Sequence, residues 1–229
     1  MVRGAPRLYD RLQGSKTTVK KLSLVFLFSL VVYGTAQAQP YEVGVFGGYP
    51  RLSHTNFGSP SAVAPVDSDT RLHADYSIGA WIGLDTKGYY GHELSYTITP
   101  VSLKTVVRTT DLNGNTVTAN PTDRIALHRA AYNFLVYFMP RGEKWRPYAT
   151  GGAQRYDYQS PNIAGWPYGK NLHYGANYGG GIKLSPFAHS IIRFDVRDYI
   201  GGKPYDLTFA GSKGKVHQIE GTVGIGVSF

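Results

Sequence analysis

Acyl transfer asks for a serine and a histidine within reach of each other, with an acid to orient the ring. Of the seven histidines in this chain, His128, His173 and His217 fall toward one end of the segments described below, in company with Ser68, Asp198 and Ser212. No compact motif joins them, and a rim histidine is the simpler account of each. His54 and His73 raise metal chemistry, but they lack a ligating spacing. The stretch "TTDLNGN" (109–115) is a polar turn without the spacing or closing glutamate of a calcium loop. "GGG" (179–181) precedes no helix and lacks the Lys-Ser/Thr of a phosphate loop. Its glycines are expected to leave room for large neighbouring side chains. With no cysteine in the chain, disulfides, thiolate metal sites and cysteine-linked lipid are excluded. No residue is expected to be catalytic or to hold a cofactor or metal.

Charge set inside an apolar alternation is the more informative chemistry. In "HSIIRFDVRDYI" Arg193, Asp195 and Arg197 lie two apart, so they share one face of a strand, while Ile192, Phe194 and Val196 share the other. Glu42, Glu93, Arg129, Lys183 and Glu220 hold matching positions in their own segments. A half-buried soluble sheet would expose these eight to water. A narrow closed barrel would turn them inward, where they neutralise one another; single charges there are very costly and paired ones tolerable. The second arrangement, apolar face outward, is the one adopted here.

Eight segments carry the alternation that would position these residues: 41–50, 74–84, 89–99, 124–138, 147–158, 172–184, 189–200 and 216–229. Strand four places His128 outward and Leu127 and Leu135 inward; the facing of 147–158 is undecided. Connections 51–73, 100–123, 159–171 and 201–215 are long, and 100–123 is mostly unpatterned. Connections 85–88, 139–146 and 185–188 are short. Long and short alternate strictly, as an up-and-down sheet with one elaborate and one plain rim requires. An even strand count returns the last strand to the first and leaves no backbone edge in lipid. Trp145, Tyr148, Tyr156, Tyr158, Phe187 and Tyr199 cluster near strand ends, where an interfacial girdle would want them.

The amino end reads as an address. Lys20-Lys21 precede the apolar run "LSLVFLFSLVVYG" (22–34), and Ala36 and Ala38 flank Gln37 as a cleavage site. Residues 1–38 are therefore expected to be a secretory signal peptide, with a start that could lie after Met1, and 39–229 the mature domain. The run is too short for a spanning helix, and no other long apolar run follows it. The formal charge of +9 is concentrated here: residues 39–229 hold 18 Lys and Arg against 14 Asp and Glu, scattered along the chain. Nucleic acid is not expected as a partner.

The last strand sets Val223, Ile225, Val227 and the final Phe229 on one face. Together with "GAWIGLDTKGYYGHELSY" (79–96), "YNFLVYF" (132–138), "RPYATGGAQRY" (146–156), "NYGGGIKLS" (177–185) and "IIRFDVRDY" (191–199), it resembles the OmpA-like outer-membrane barrel family over 41–229. The likeness is to the eight-stranded barrel domain without the peptidoglycan-binding domain. It implies an all-β, eight-stranded, antiparallel transmembrane barrel in a Gram-negative outer membrane. It also implies contact with outer-membrane lipid and lipopolysaccharide, and a terminal strand (Val223, Ile225, Val227, Phe229) read by the barrel assembly machinery. The expected function is a structural or surface barrel whose external loops meet a ligand, with a lumen filled by paired charges rather than a wide pore. Two alternatives stand beside it: an outer-membrane enzyme acting on lipid A, and a secreted soluble barrel holding a small ligand in an apolar interior.

Overall fold

The computed structural model describes residues 41–53, 68–86, 88–110, 113–162, 172–202 and 215–229. The expected signal peptide, His54 and Ser212 lie outside them. The elements are β1 (Tyr41–Leu52), β2 (Ser68–Ala74), β3 (Ser77–Thr86), β4 (Tyr90–Thr110), β5 (Thr116–Ala119), β6 (Thr122–Tyr137), β7 (Trp145–Tyr158), β8 (Leu172–Leu184), β9 (Ser190–Gly201) and β10 (Val216–Ser228).

Every pairing is antiparallel, and the ring closes: β1 pairs β3 on one side and β10 on the other. β2 continues β3 along β4, after a break at Asp75–Tyr76. β5 similarly leads into β6 along the far part of β4. The ten elements therefore make an all-β, eight-stranded closed barrel, in which β2 and β5 each pair, among the described residues, with β4 alone.

Following partners round the wall from Glu42 passes Gly83, Glu93, Asn133, Gly152, Asn177, Tyr199 and Gln218 and returns to β1 at Leu52. That offset of ten residues is the stagger that tilts strands by about 35–45° in a narrow barrel. A barrel of this strand number is filled by its own side chains.

One expectation is corrected. Residues 100–123 are not an unpatterned connection. β4 runs on to Thr110, and β5 and β6 return along it. Residues 68–73 of the supposed 51–73 loop are likewise strand. The wall thus extends past the point where the apolar outward face ends. Inside this extension Leu72, Val101, Leu103, Ile125, Leu127 and Val216 pack into an apolar cluster, while outward positions turn polar with Arg71, Ser102, Lys104 and Arg124. The two faces exchange character near Pro100, beside the β2/β3 break.

Candidate functional site

Alternation on each strand decides what faces inward. Inside lie five carboxylates (Glu42, Asp85, Glu93, Asp195, Glu220) and five cations (Arg129, Arg146, Lys183, Arg193, Arg197), all buried. All eight residues singled out in the sequence are among these ten. Asp85 and Arg146 are the additions. Both fall in stretches assigned to short turns, although alternation carried two residues past Gly83 and two before Tyr148 reaches them.

The pairs reach across the lumen. At the plain rim Arg146 of β7 pairs with Asp85 of β3, and its guanidinium stacks 3.8 Å from the Tyr137 ring centre. Next to it Lys183 of β8 donates to Glu42 of β1 and to the Tyr137 hydroxyl. At mid-height Glu93 of β4 accepts from Arg193 of β9, from Arg197 at 3.0 Å and from the Asn133 amide at 3.2 Å. Arg197 also grips Asp195 through two bonds, 2.7 and 2.9 Å, and the Tyr148 hydroxyl donates to the same carboxylate. Nearer the elaborate rim Arg129 of β6 and the Ser77 hydroxyl both donate to Glu220 of β10. Arg129 lies 3.5 Å over the Tyr199 ring. Above this the apolar cluster of the extension closes the interior.

Glycines make room for the large residues. A Cβ on Gly181 would come within 2.7 Å of the Tyr148 hydroxyl, and one on Gly179 within 2.9 Å of the Arg197 side chain. Trp81, buried inside, lies against Gly44, Gly224 and Gly226 of the β1/β10 pair. Its ring sits 4.4 Å below the Arg193 guanidinium. The sequence showed glycine-rich strands; it did not show that one indole required three of them.

The outer face is apolar. Val45, Ile82, Leu94, Tyr132, Val196 and Ile225 are each about half exposed or more. Of the six aromatics assigned to a girdle, Trp145 and Phe187 are exposed, but Tyr148, Tyr156, Tyr158 and Tyr199 are buried inside. The alternation of 147–158, undecided from sequence, turns the first three inward, and Tyr199 shares the inward face of β9 with Arg193, Asp195 and Arg197. The outward aromatics are others, among them Tyr49, Tyr76, Tyr90, Phe138 and Tyr174. Val223, Ile225, Val227 and Phe229 all project outward, and Phe229 stacks on Tyr41 at 6.4 Å.

Among the described residues the rim histidines contact aromatic and acidic groups. His128 Nδ1 bonds the Tyr96 hydroxyl at 2.8 Å. His217 Nδ1 bonds Asp198 at 2.8 Å, which also accepts from Tyr178. Ser53, just past the end of β1, uses its hydroxyl to accept from the His217 backbone N–H at 3.3 Å. His173 stacks on Tyr156, and His73 approaches Asp75 at 3.3 Å. The side chains thus juxtapose a histidine and an acid at Asp198–His217, with the nearby hydroxyl turned to the backbone.

No family model matches the chain, and no curated protein matches it. Solved structures do. The chain is similar to the N-terminal β-barrel domain of Pseudomonas aeruginosa OprF, with 16% identity and TM-score 0.50 over 84% of this chain and 100% of that one. It is similar to Neisserial surface protein A, with 13% identity and TM-score 0.51 over 82% and 97%. It is also similar to the outer membrane protein AlkL, whose structure was determined in lipid bilayers, with 10% identity and TM-score 0.54 over 86% and 95%. At these identities the likeness is one of fold: small, closed, outer-membrane-type barrels.

Proposed function

We propose that the protein is a structural and surface barrel of a Gram-negative outer membrane, plugged by its own ion pairs. One observation carries this reading: the faces are inverted relative to a soluble barrel. Among the described residues, all ten buried charges are inside and paired, while the large aliphatic and aromatic side chains of the wall stand exposed. An apolar surface of that extent is a membrane or partner surface. A soluble barrel with an apolar ligand site would show the reverse over most of its height.

The outward belt sits in hydrocarbon, and the β2/β4/β5/β6 extension stands outside it with the external loops, offering contact to lipopolysaccharide or to another ligand. The outward row Val223–Ile225–Val227–Phe229 is the segment the barrel assembly machinery reads. The role is non-enzymatic, with the rim histidines serving the Tyr96 and Asp198 contacts. Expression in a Gram-negative host tests the core of the proposal. Recovery from the outer-membrane fraction only with detergent, and faster gel migration before boiling than after, is the expected result. Recovery in the aqueous periplasmic fraction refutes it.

A further inference from the structure

We propose that the outward face carries a binding groove for a phosphorylated, acylated lipid of the outer leaflet, of the lipid A class, with Arg155 as the phosphate ligand. This rests on the membrane reading above and names a site within it.

A groove of about 620 Å³ crosses the outward wall obliquely from β1 to β8. Its lower side follows one register row, Val43, Ile82, Leu94, Tyr132 and Ala153. Its upper side follows the next, Ala80, Tyr96, Ala130, Arg155 and Tyr174. The alanines let the floor drop to the backbone between large walls. A strand perpendicular is itself inclined in a tilted barrel, so the groove descends through the belt as an acyl chain does.

Its head is polar and cationic. Arg155 is exposed on the wall and has no ion-pair or hydrogen-bond partner among the described residues. Asp157, the next outward residue on the same strand, stands two positions nearer the elaborate rim, beside His128. The Tyr96 hydroxyl is turned to His128 at the same end, and the Tyr174 ring is 71% exposed beside Arg155.

Depth fixes the leaflet. Arg155 is ten residues along β7 from the exposed Trp145 at the plain rim. At about 3.3 Å per residue and 35–45° tilt, that is about 25 Å of height, the thickness of the apolar band of such barrels. Arg155 therefore stands at the far boundary of the hydrocarbon, on the side of the extension. An arginine there costs about 0–1 kcal/mol, against about 2–4 at the midplane, and its long stem lets the head reach phosphate. Guanidinium with phosphate is a charge-assisted, bidentate contact. Further out, Lys104 and Arg124 extend the positive surface toward the polar headgroup region.

The test uses the full chain in neutral-detergent micelles, with diphosphorylated lipid A as the probe. Dephosphorylated lipid A, phosphatidylglycerol and inorganic phosphate are the comparisons. The wild type should bind the diphosphorylated lipid at least about tenfold more tightly than the dephosphorylated one. Arg155→Ala should remove that difference. Ala130→Leu with Ala153→Leu, which fills the groove, should weaken both lipids, with heat-modifiable mobility unchanged. Equal affinity of wild type and Arg155→Ala for the diphosphorylated lipid overturns the site. So does equal binding of phosphatidylglycerol, or binding of inorganic phosphate alone. A failure of the membrane reading looks different: the wild type stays in the aqueous fraction and binds none of the lipids.

Discussion

Replacing Glu93 with alanine should destabilise the barrel by about 3–5 kcal/mol, the cost of stranding a buried charge. Glu93 is 1% exposed at its side chain and is the acceptor for two arginines and an amide. Without it, Arg197 keeps both bonds to Asp195. Arg193 keeps a 3.9 Å approach of its Nε to Asp195 and its place over the Trp81 and Phe46 rings, but no close carboxylate. Four carboxylates then face five cations in a closed interior. Arg193→Ala should cost less in the same assay, within about 2–5 kcal/mol, because Glu93 retains Arg197 and Asn133. The double variant should cost less than the sum of the two single ones, since it removes a charge of each sign. Urea titration in micelles, with the folded fraction read from the mobility of unboiled protein, gives all three values. A Glu93→Ala cost below about 1 kcal/mol, the size of a solvent-exposed pair, would refute the lumen assignment. Strict additivity of the pair would refute their coupling.

Four other substitutions probe other parts of the wall. Gly44→Val should prevent a stable barrel or cost more than the usual 1–3 kcal/mol of overpacking, because the added Cβ meets both the Trp81 ring and the Ile225 carbonyl; loss of heat-modifiable mobility reads it out. Leu103→Ala, at 0% exposure in the cluster of the extension, should cost about 2–5 kcal/mol, and limited proteolysis should cut β4–β6 beyond Pro100 while the belt stays intact. Leu94→Arg should cost about 2–4 kcal/mol in lipid vesicles, and Ser102→Arg, eight residues nearer the elaborate rim on the same outward face, about 0–1; equal costs of about 0–1 would place both outside the hydrocarbon.

How much of this was legible follows from where one rule holds. Within the belt, outward means apolar, and reading Phe194, Val196, Ile225 and Val227 as one side and Arg193, Asp195 and Glu220 as the other locates both faces. Past Pro100 the rule inverts. Val101, Leu103 and Thr105 face inward and Ser102 and Lys104 outward, because the wall there has water outside and a packed core within. A scan that expects one polarity phase loses the strand at the inversion, and the proline adds to the impression of a loop. The buried tyrosines were hidden for a different reason. Tyr148, Tyr156 and Tyr158 sit on a strand whose outward positions are Ala149, Gly151, Ala153 and Arg155, so no large aliphatic row marked the outside. Which acid meets which base was beyond the sequence altogether, since it depends on the stagger of the closed ring.

That dependence has a consequence for assembly. Going round the wall, β4 and β9 are opposite one another, as are β6 and β10. Glu93–Arg193 and Arg129–Glu220 therefore span the full lumen. Glu42–Lys183 and Asp85–Arg146 each join strands three places apart. None of these four pairs is between neighbours in the sheet, so none can form in a hairpin or a growing open sheet. Four pairs whose partners come within reach only together make closure the step that separates a water-compatible chain from a lipid-compatible one. A partly zipped barrel, with its carboxylates and guanidiniums already in a narrow space and still unmatched, is the least favourable species on the way.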